Sequence, residues 1–429
     1  MLDIKYIRNN PALVKEGSKN KGVNIDISRL LEVEEKRRNI LQEVEAVKSK
    51  KNKANELMKG VEESERKRII NEMRAVDEDE DKLQAEFKLL DREYQRLMST
   101  IPNMPFETVP VGKDDSENLI IREEGVKRKF NFKPKDYLEI AEGLDIIDVK
   151  RAAKVSGSRF GYLKGDAALL EFALIQLVMK VTTEKGFIPV IPPVMINPEM
   201  MEKMGYISKN FDDTDEQWNG EDVYFLKNDP LLLIGTSEQS IGPMHADEVF
   251  QKGDLPRRYV GFSSCFRREA GSYGKDTKGI LRVHQFDKIE MFTFCLPEES
   301  KKEHQLLLSI EEELMTRLGL SYRVIDICTG DLGAPAAAKY DIEVWLPGQE
   351  QYRETHSTSN CTDFQSRRLN IRYRTDEGRT EFVHMLNGTA IAVGRILIAI
   401  IENYQREEGS FEVPDALSDY LGKKVVGNK

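Results

Sequence analysis

The side chains best suited to chemistry lie in residues 264–292, which read SCFRREAGSYGKDTKGILRVHQFDKIEMF. This segment predicts two strands joined by a basic, flexible turn from Gly271 to Gly279. Arg267 can grip phosphate oxygens through parallel N–H donors, because its guanidinium is planar and always charged. Side chains alternate along a strand, so we predict that Glu269 shares a face with Arg267 and that the pair holds a phosphate and an amino group. A triphosphate site is therefore favoured over the common alternative, a surface hairpin with exposed ion pairs.

A second arginine, Arg395, interrupts the apolar run from Gly388 to Tyr404, which we predict to be a helix. A buried charge without a partner is costly, so this side chain needs an anion. A bound phosphate would supply one, and so would a nearby carboxylate. Gly388 and Gly394 allow the backbone to approach a ligand closely.

Length, composition and charge limit the classes of function. The chain has 429 residues, of which 40% are hydrophobic and 32% charged, and its formal net charge is -10. Two or three domains fit this length, and the charged content indicates a polar helical element. The negative charge argues against DNA and indiscriminate nucleic-acid binding, while a local basic patch could still contact RNA. Four scattered cysteines and five histidines give little support to a zinc site and predict a reducing, cytoplasmic location. No apolar run suits a signal peptide or a bilayer span, so we expect no membrane partner.

Residues 28–97 carry the apolar periodicity of two long helices, interrupted only near Gly60. We predict an antiparallel coiled-coil hairpin that turns at about Gly60–Ser64 and reaches on the order of 45 Å. The three-and-four spacing skips Arg37, Lys51 and Glu80. The apolar positions are Leu30, Val33, Ile40, Val44, Val47, Ala54, Met58, Ile69, Met73, Val76, Leu83, Phe87, Leu90, Tyr94 and Leu97.

Basic side chains concentrate towards the end of this hairpin, above all Lys48, Lys50, Lys51 and Lys53. One interpretation is an ordinary solvated coiled coil. The other is an arm whose basic end touches an RNA backbone and reads its shape and phosphates.

Prolines in residues 101–118 indicate a linker, and we place a domain boundary there, with the arm and its linker in residues 1–110 and the body in residues 111–429. The body mixes predicted helices and strands, which indicates α+β architecture. The predicted elements are a helix at Ala167–Lys185, an extended segment at Gly186–Pro193 and strands at Tyr340–Trp345, Tyr352–Thr355 and Thr380–Leu386.

Three of these segments together resemble a known family. Residues 264–292 resemble motif 2 of the class II aminoacyl-tRNA synthetases in the form found in seryl-tRNA synthetases, with AGSYGKDTKG and VHQFDKIEMF as the most specific runs. Residues 167–193 resemble motif 1, a dimer-interface element, and Leu386–Arg395 resembles motif 3. The resemblance extends over essentially the whole chain. It implies an antiparallel helical-hairpin arm joined to a class II catalytic domain with an antiparallel sheet and flanking helices, in a homodimer.

The same resemblance implies that the protein activates L-serine with ATP and Mg²⁺ to seryl-adenylate. Serine is then transferred to the 3′ end of tRNA(Ser), and charging of tRNA(Sec) stays an open alternative. Arg267 and Arg395 are implied as the catalytic residues, and Glu354 and Ser357 as the metal ligands. The implied ATP contacts are Arg267, Arg268, Glu269, Val283, Phe286, Glu354, Thr355, His356, Ser357 and Arg395.

The serine site implied by the resemblance consists of Thr236, Ser237, Glu238, Glu290 and Thr389. An ammonium group requires a carboxylate, and a side-chain hydroxyl requires polar partners. Two departures from the commoner family wording, at Thr355 and His356, leave their peripheral ATP contacts open. One alternative function is an amino acid:carrier-protein ligase, although the long arm counts against it. Another is a non-catalytic RNA-binding homologue, which we would expect to lose Arg267, Glu354 or Arg395.

Overall fold

The computed structural model contains two compact units, divided between Pro102 and Asn103. It describes residues 1–58, 60, 62–210, 217–220, 222–270, 274, 276 and 278–427. Residues 271–273, 275 and 277 of the predicted basic turn lie outside the described residues. The division falls inside the predicted linker, earlier than the expected boundary at residue 110, because Phe106 and Val109 pack against Ile325 and Ile327.

Four helices make up the described part of the first unit: α1 (Ile4–Asn9), α2 (Pro11–Asn20), α3 (Ile27–Leu57) and α4 (Glu63–Ser99). Residues at the N-terminal ends of α1, α2 and α3 explain where these helices begin. The carboxylates of Asp3 and Asp26 accept hydrogen bonds from the first turns of α1 and α3, and Pro11 opens α2. The two predicted long helices are therefore confirmed.

Helices α3 and α4 run antiparallel, as their ion pairs show. Arg29 Nε donates to Glu93 Oε1 at 2.8 Å near one end, and Lys51 contacts Glu80 towards the other. Every apolar position predicted for the seam between the helices is buried or half-buried. The periodicity therefore identified the packed face of both helices.

The polar positions that the spacing skips also lie in this seam. The guanidinium of Arg37 lies 4.8 Å from the ring centroid of Tyr94 and donates to Asp91 at 2.6 Å. Lys51 contacts both Asp77 and Glu80. Each polar break in the apolar pattern thus has a partner on the facing helix.

The second unit is built on an eight-stranded sheet whose order is β1-β12-β13-β14-β17-β11-β10-β4. Strand β4 pairs parallel with β10, and the other neighbours in this sheet pair antiparallel. The described strands are β1 (Leu119–Glu124), β2 (Ile147–Asp148), β3 (Tyr162–Leu163), β4 (Ile188–Val190), β5 (Met195–Ile196), β6 (Ser208–Asn210), β7 (Gln217–Asn219), β8 (Leu232–Leu233), β9 (Val249–Gln251), β10 (Arg257–Phe266), β11 (Gln285–Cys295), β12 (Tyr322–Asp326), β13 (Ala338–Leu346), β14 (Gln351–Asn360), β15 (Arg372–Arg374), β16 (Thr380–Phe382), β17 (His384–Ala392), β18 (Phe411–Glu412) and β19 (Val425–Val426).

Helices pack against this sheet and enclose the main apolar core, to which α7 (Asp166–Glu184), α10 (Ser300–Arg317) and α12 (Val393–Asn403) contribute. The helices of the second unit are α5 (Tyr137–Gly143), α6 (Val149–Ser156), α7 (Asp166–Glu184), α8 (Pro198–Met204), α9 (Glu238–Ile241), α10 (Ser300–Arg317), α11 (Phe364–Leu369), α12 (Val393–Asn403) and α13 (Asp415–Leu421). The predicted α+β architecture and the helix at Ala167–Lys185 are confirmed. Among the described residues, no helix has the length and apolarity needed to cross a membrane.

Two predicted elements were wrong in the region after residue 380. The helix expected from Gly388 to Tyr404 begins only at Val393, because residues 384–392 form β17 between β11 and β14. Pairing with two neighbours outweighs the helical pattern of small and apolar residues there. The strand expected at Thr380–Leu386 is split between β16 and β17.

Candidate active site

A cavity of about 580 Å³ lies in the second unit, at the ends of β10 and β11 and along β14 and β17. It collects most of the residues that the sequence analysis assigned to ATP and serine. Those on its wall are Thr236, Glu238, Arg267, Glu269, Val283, Phe286, Glu290, Glu354, Thr355, Ser357, Thr389 and Arg395. Ser237, Arg268 and His356 are not part of this wall.

Arg267 lies one residue beyond the end of β10, where its backbone N–H donates to His284 O at 3.0 Å. Its Nε donates to Gly235 O at 3.2 Å, and its guanidinium lies 5.3 Å from the ring centroid of Phe286. The arginine is therefore held against an aromatic face. A planar base and a phosphate could both be contacted from this position.

The expected strand alternation between Arg267 and Glu269 was wrong, because both residues follow the end of β10 and Glu269 has a φ of 53°. The second of the two predicted strands, expected directly after the turn that ends at Gly279, also begins later, at Gln285. Glu269 still reaches the cavity through the turn and accepts a hydrogen bond from Arg282 Nη1 at 2.6 Å. Arg282 is a cavity residue that the sequence analysis missed.

Arg395, the third residue of α12, is a half-buried side chain with a partner. Its Nη1 donates to Glu354 O at 2.9 Å and lies 3.2 Å from Glu354 Oε1. Of the two anions that the sequence analysis left open for Arg395, the nearby carboxylate is the one that the structure contains. The reason is the turn from β17 into α12, which brings the start of the helix beside β14.

A bulge in β14 explains how Glu354 and Ser357 both reach the cavity. In an unbroken strand, residues three apart face opposite sides. Here Ile342 pairs with His356 and Glu343 pairs with Glu354, so Thr355 is the extra residue of a register shift. Both predicted metal ligands consequently line the same wall.

The electrostatics of this wall favour an ionised Glu354. Desolvation raises the pKa of this carboxyl, but the positive charges of Arg395, Lys339 and Arg267 outweigh that effect and lower it below its ordinary value. The side chain is half exposed where it faces the cavity. A carboxylate and the hydroxyl of Ser357 are hard oxygen donors of the kind that Mg²⁺ prefers.

At the other end of the cavity, two carboxyl groups approach each other. Glu290 contacts Lys288 and accepts a hydrogen bond from Thr389 Oγ1 at 3.2 Å. Glu238 accepts hydrogen bonds from the hydroxyl of Tyr206 at 2.7 Å and from Gln365 Nε2 at 3.1 Å. Burial, with a further contribution from the charge of Glu290, raises the pKa of Glu238 to about 6.

The sequence analysis did not name Lys288, Tyr206 or Gln365. Lys288 lies between Phe286 and Glu290 at the period of a strand, so alternation along β11 could have found it. Tyr206 and Gln365 come from the end of α8 and from α11, far from the motifs, and carry no signal of their own.

The three residues outside the cavity wall have other surroundings. The buried Ser237 donates its hydroxyl to Gly261 O at 3.3 Å, and Arg268 is exposed. His356 faces away from the cavity, with its Nδ1 2.8 Å from Thr355 Oγ1. Burial lowers the pKa of His356 to about 4, so its imidazole is neutral at pH 7.

Comparison with known proteins identifies the family to which the chain belongs. Residues 1–105 match the model of the seryl-tRNA synthetase N-terminal domain, and residues 224–404 match the class II tRNA synthetase core domain (G, H, P, S and T). The serine–tRNA ligase of Thermobifida fusca is 42% identical over 427 residues, with 99% of each chain covered. That of Dictyoglomus turgidum is 41% identical over 432 residues, with 100% of each covered.

Solved structures give the same result. The seryl-tRNA synthetase of Pyrococcus horikoshii, crystallised with ATP, superposes with a TM-score of 0.87 at 38% identity and covers 99% of both chains. The cytoplasmic serine–tRNA ligase of Naegleria fowleri, in complex with AMP, has a TM-score of 0.85 at 32% identity, over 99% of this chain and 98% of the other. The chain belongs to the seryl-tRNA synthetases, the class II enzymes that ligate serine to tRNA.

Proposed function

We propose that the cavity binds ATP and L-serine side by side and joins them as seryl-adenylate. A carboxylate oxygen of serine attacks the α-phosphorus of ATP, the bond to the bridging oxygen breaks, and pyrophosphate leaves. The observation that carries this proposal is one cavity that presents Arg267 and Arg395 together with the buried carboxyl groups of Glu238 and Glu290. No covalent bond to the protein is needed, so positioning and electrostatics account for the acceleration.

ATP is assigned to the end that contains Arg267 and Phe286. The ring of Phe286 suits the adenine face, and Arg267 beside it suits the α-phosphate, where charge increases in the transition state. Glu269 and Val283 line the same end, near the adenine edge. Arg395 is half-buried at the start of α12 and suits a more distant phosphate.

Glu354 and Ser357 are the residues that we assign to Mg²⁺. They form one oxygen-donor pair on the cavity wall, and Mg²⁺ bound with a nucleotide commonly takes one or two protein ligands and completes its shell with phosphate oxygens and water. When bound, the ion would neutralise phosphate charge. Arg395 would then exchange part of its contact with Glu354 for a phosphate contact.

L-Serine is assigned to the end that contains Glu238, Glu290 and Thr389. Glu238 supplies a carboxylate for the ammonium group, while Glu290 and Thr389 supply hydrogen-bond partners for the side-chain hydroxyl. Alanine would leave those partners unpaired, which discriminates strongly. Threonine adds a methyl group that the shape of the pocket must exclude.

The arm is assigned to tRNA. Lys48, Lys50 and Lys53 are exposed on α3, whereas Lys51 is held by Asp77 and Glu80 in the seam. We therefore assign phosphate contacts to the three exposed lysines and a structural role to Lys51. The proposed partner is tRNA(Ser), and comparing its charging with that of tRNA(Sec) distinguishes the two substrates.

A twofold homodimer is the proposed assembly. Apolar side chains of the motif 1 region are exposed in the single chain, among them Phe172 at 60% and Ile191 at 87%. A symmetric partner would cover such a surface. We further propose a cytoplasmic location, because the four cysteines are buried thiols and none of them forms a disulfide.

ATP–pyrophosphate exchange, measured with each amino acid in turn, tests the proposed function. We expect exchange with L-serine that depends on Mg²⁺. Exchange with threonine or alanine and none with serine would overturn the substrate assignment. Exchange that continues at the same rate after a chelator has removed Mg²⁺ would overturn the metal assignment.

A further inference from the structure

The Glu238 carboxylate is held by two chain segments that are distant from it in sequence. Glu238 begins α9 and is 4% exposed. Tyr206 follows Gly205, which caps α8 in the left-handed conformation with a φ of 92°. Gln365 belongs to α11 and is fully buried. Its Nε2 donates both to Glu238 Oε1 at 3.1 Å and to Met204 O at 3.2 Å, so it ties the carboxylate to the end of α8.

These donors fix the carboxylate without neutralising it. The Tyr206 hydroxyl and the Gln365 amide are uncharged donors, one on each oxygen of Glu238. The cation that acts on Glu238, Lys288, is itself ion-paired with Glu290. The negative charge of Glu238 thus stays available to a ligand, in a buried place where an opposite charge is strongly attracted.

We propose that Tyr206 is a positioning residue for amino-acid binding, because its hydroxyl donates a hydrogen bond that orients the Glu238 carboxylate towards the substrate ammonium. The inference rests on the proposed serine site and deepens it. Tyr206 lines the same cavity, and its distance of 2.7 Å to Glu238 Oε2 is that of a charge-assisted hydrogen bond.

The groups that face this carboxylate define the expected pH behaviour. They are Glu290 and Lys288 from β11, Tyr206 after α8 and the uncharged Gln365 from α11. Burial and, to a smaller extent, the neighbouring Cys361 and Glu290 in turn raise the pKa of the Tyr206 hydroxyl. Burial and Glu290 raise the pKa of Glu238, whereas the hydrogen bond from Tyr206 lowers it. Protonation of Glu238 would remove the ammonium partner, so KM for serine should rise as pH falls below about 6.

Tyr206→Phe removes only the hydroxyl and tests the inference in ATP–pyrophosphate exchange. We expect KM for serine to rise about tenfold, because the variant lacks a hydrogen bond to a charged group. The KM for ATP and kcat should change less than twofold. A general loss of stability would instead affect the KM for serine, the KM for ATP and kcat together. The low-pH rise in KM for serine should also begin at a higher pH, since the donor no longer stabilises the ionised form.

Tyr373→Phe is the matched control, because Tyr373 also donates to a carboxylate, Glu381, at 2.9 Å, and neither lines the cavity. It should leave the KM for serine, the KM for ATP and kcat unchanged.

Glu238→Gln separates the inference from the proposed function that supports it. If Glu238→Gln binds serine normally, the proposed site is wrong. If Glu238→Gln loses serine binding and Tyr206→Phe keeps the wild-type KM and pH profile, the role of Tyr206 is overturned. An equal rise in the KM for ATP and for serine would overturn it as well.

Discussion

Charged side chains inside the arm and inside the cavity of the catalytic unit differ in their partners. In the arm, each polar residue that interrupts the apolar seam pairs with its facing helix, as Arg37 does with Asp91 and Lys51 with Glu80. In the cavity, Glu238 has neutral donors, and the paired Glu354 still presents half its surface to open space. Charges in the seam of the arm stabilise and align two helices, while the carboxylates of Glu238 and Glu354 in the cavity remain available to a ligand. The comparison separates structural charges from functional ones on the basis of their partners.

The largest expected effect comes from Arg267→Ala in the cavity. We expect kcat for serine-dependent exchange to fall roughly 100- to 1,000-fold, because the variant lacks a positive charge where negative charge develops. Far-UV circular dichroism and the unfolding midpoint should stay near those of the wild type. Arg406→Ala, which removes an arginine paired with Glu412 outside the cavity, is the control. Near-normal exchange in Arg267→Ala would refute the role of Arg267.

A second expected difference between the two units is how their stability depends on pH. All five histidines of the chain follow residue 240 and therefore lie in the catalytic unit. Burial lowers the pKa of His304 to about 4, below the value near 6.5 expected when unfolded. The unfolded state therefore binds more protons between these values, and this histidine's contribution to stability is lost as pH falls from about 6.5 towards 4. His304→Gln should reduce the pH dependence of unfolding free energy in that window. Its amide can keep the bond to Thr358 O. Parallel stability curves for variant and wild type would contradict this account.

A smaller effect distinguishes the lysines of the arm. Replacing Lys48, Lys50 and Lys53 by Gln should raise KM for tRNA several-fold and reduce the salt slope by roughly one unit for each phosphate that is no longer neutralised. The melting temperature should not change. Lys51→Gln is the matched variant, and it should lower the melting temperature because Asp77 and Glu80 lose their shared partner. If Lys51→Gln alone reproduces the weaker tRNA binding with no loss of stability, the assignment of Lys51 to the seam is wrong.

The same contrast explains which features could be predicted from the sequence. The arm followed from periodicity, because helix packing repeats every three to four residues and the seam obeys it from Leu30 to Leu97. The motifs located most of the cavity wall. The features that the sequence analysis missed depend on pairing between distant segments. Examples are the bulge at Thr355 and the start of α12 at Val393. Tyr206 and Gln365 were missed for the same reason, because only the fold brings the end of α8 and α11 beside Glu238.

Deleting residues 28–97 tests the division of labour between the two units most directly. We expect the shortened protein to retain serine-dependent pyrophosphate exchange within a few-fold of the full chain, since every described residue of the cavity wall follows residue 200. Transfer of serine to tRNA should be lost. Charging of tRNA at the wild-type rate would contradict the account, and so would loss of exchange in a variant that remains folded by circular dichroism.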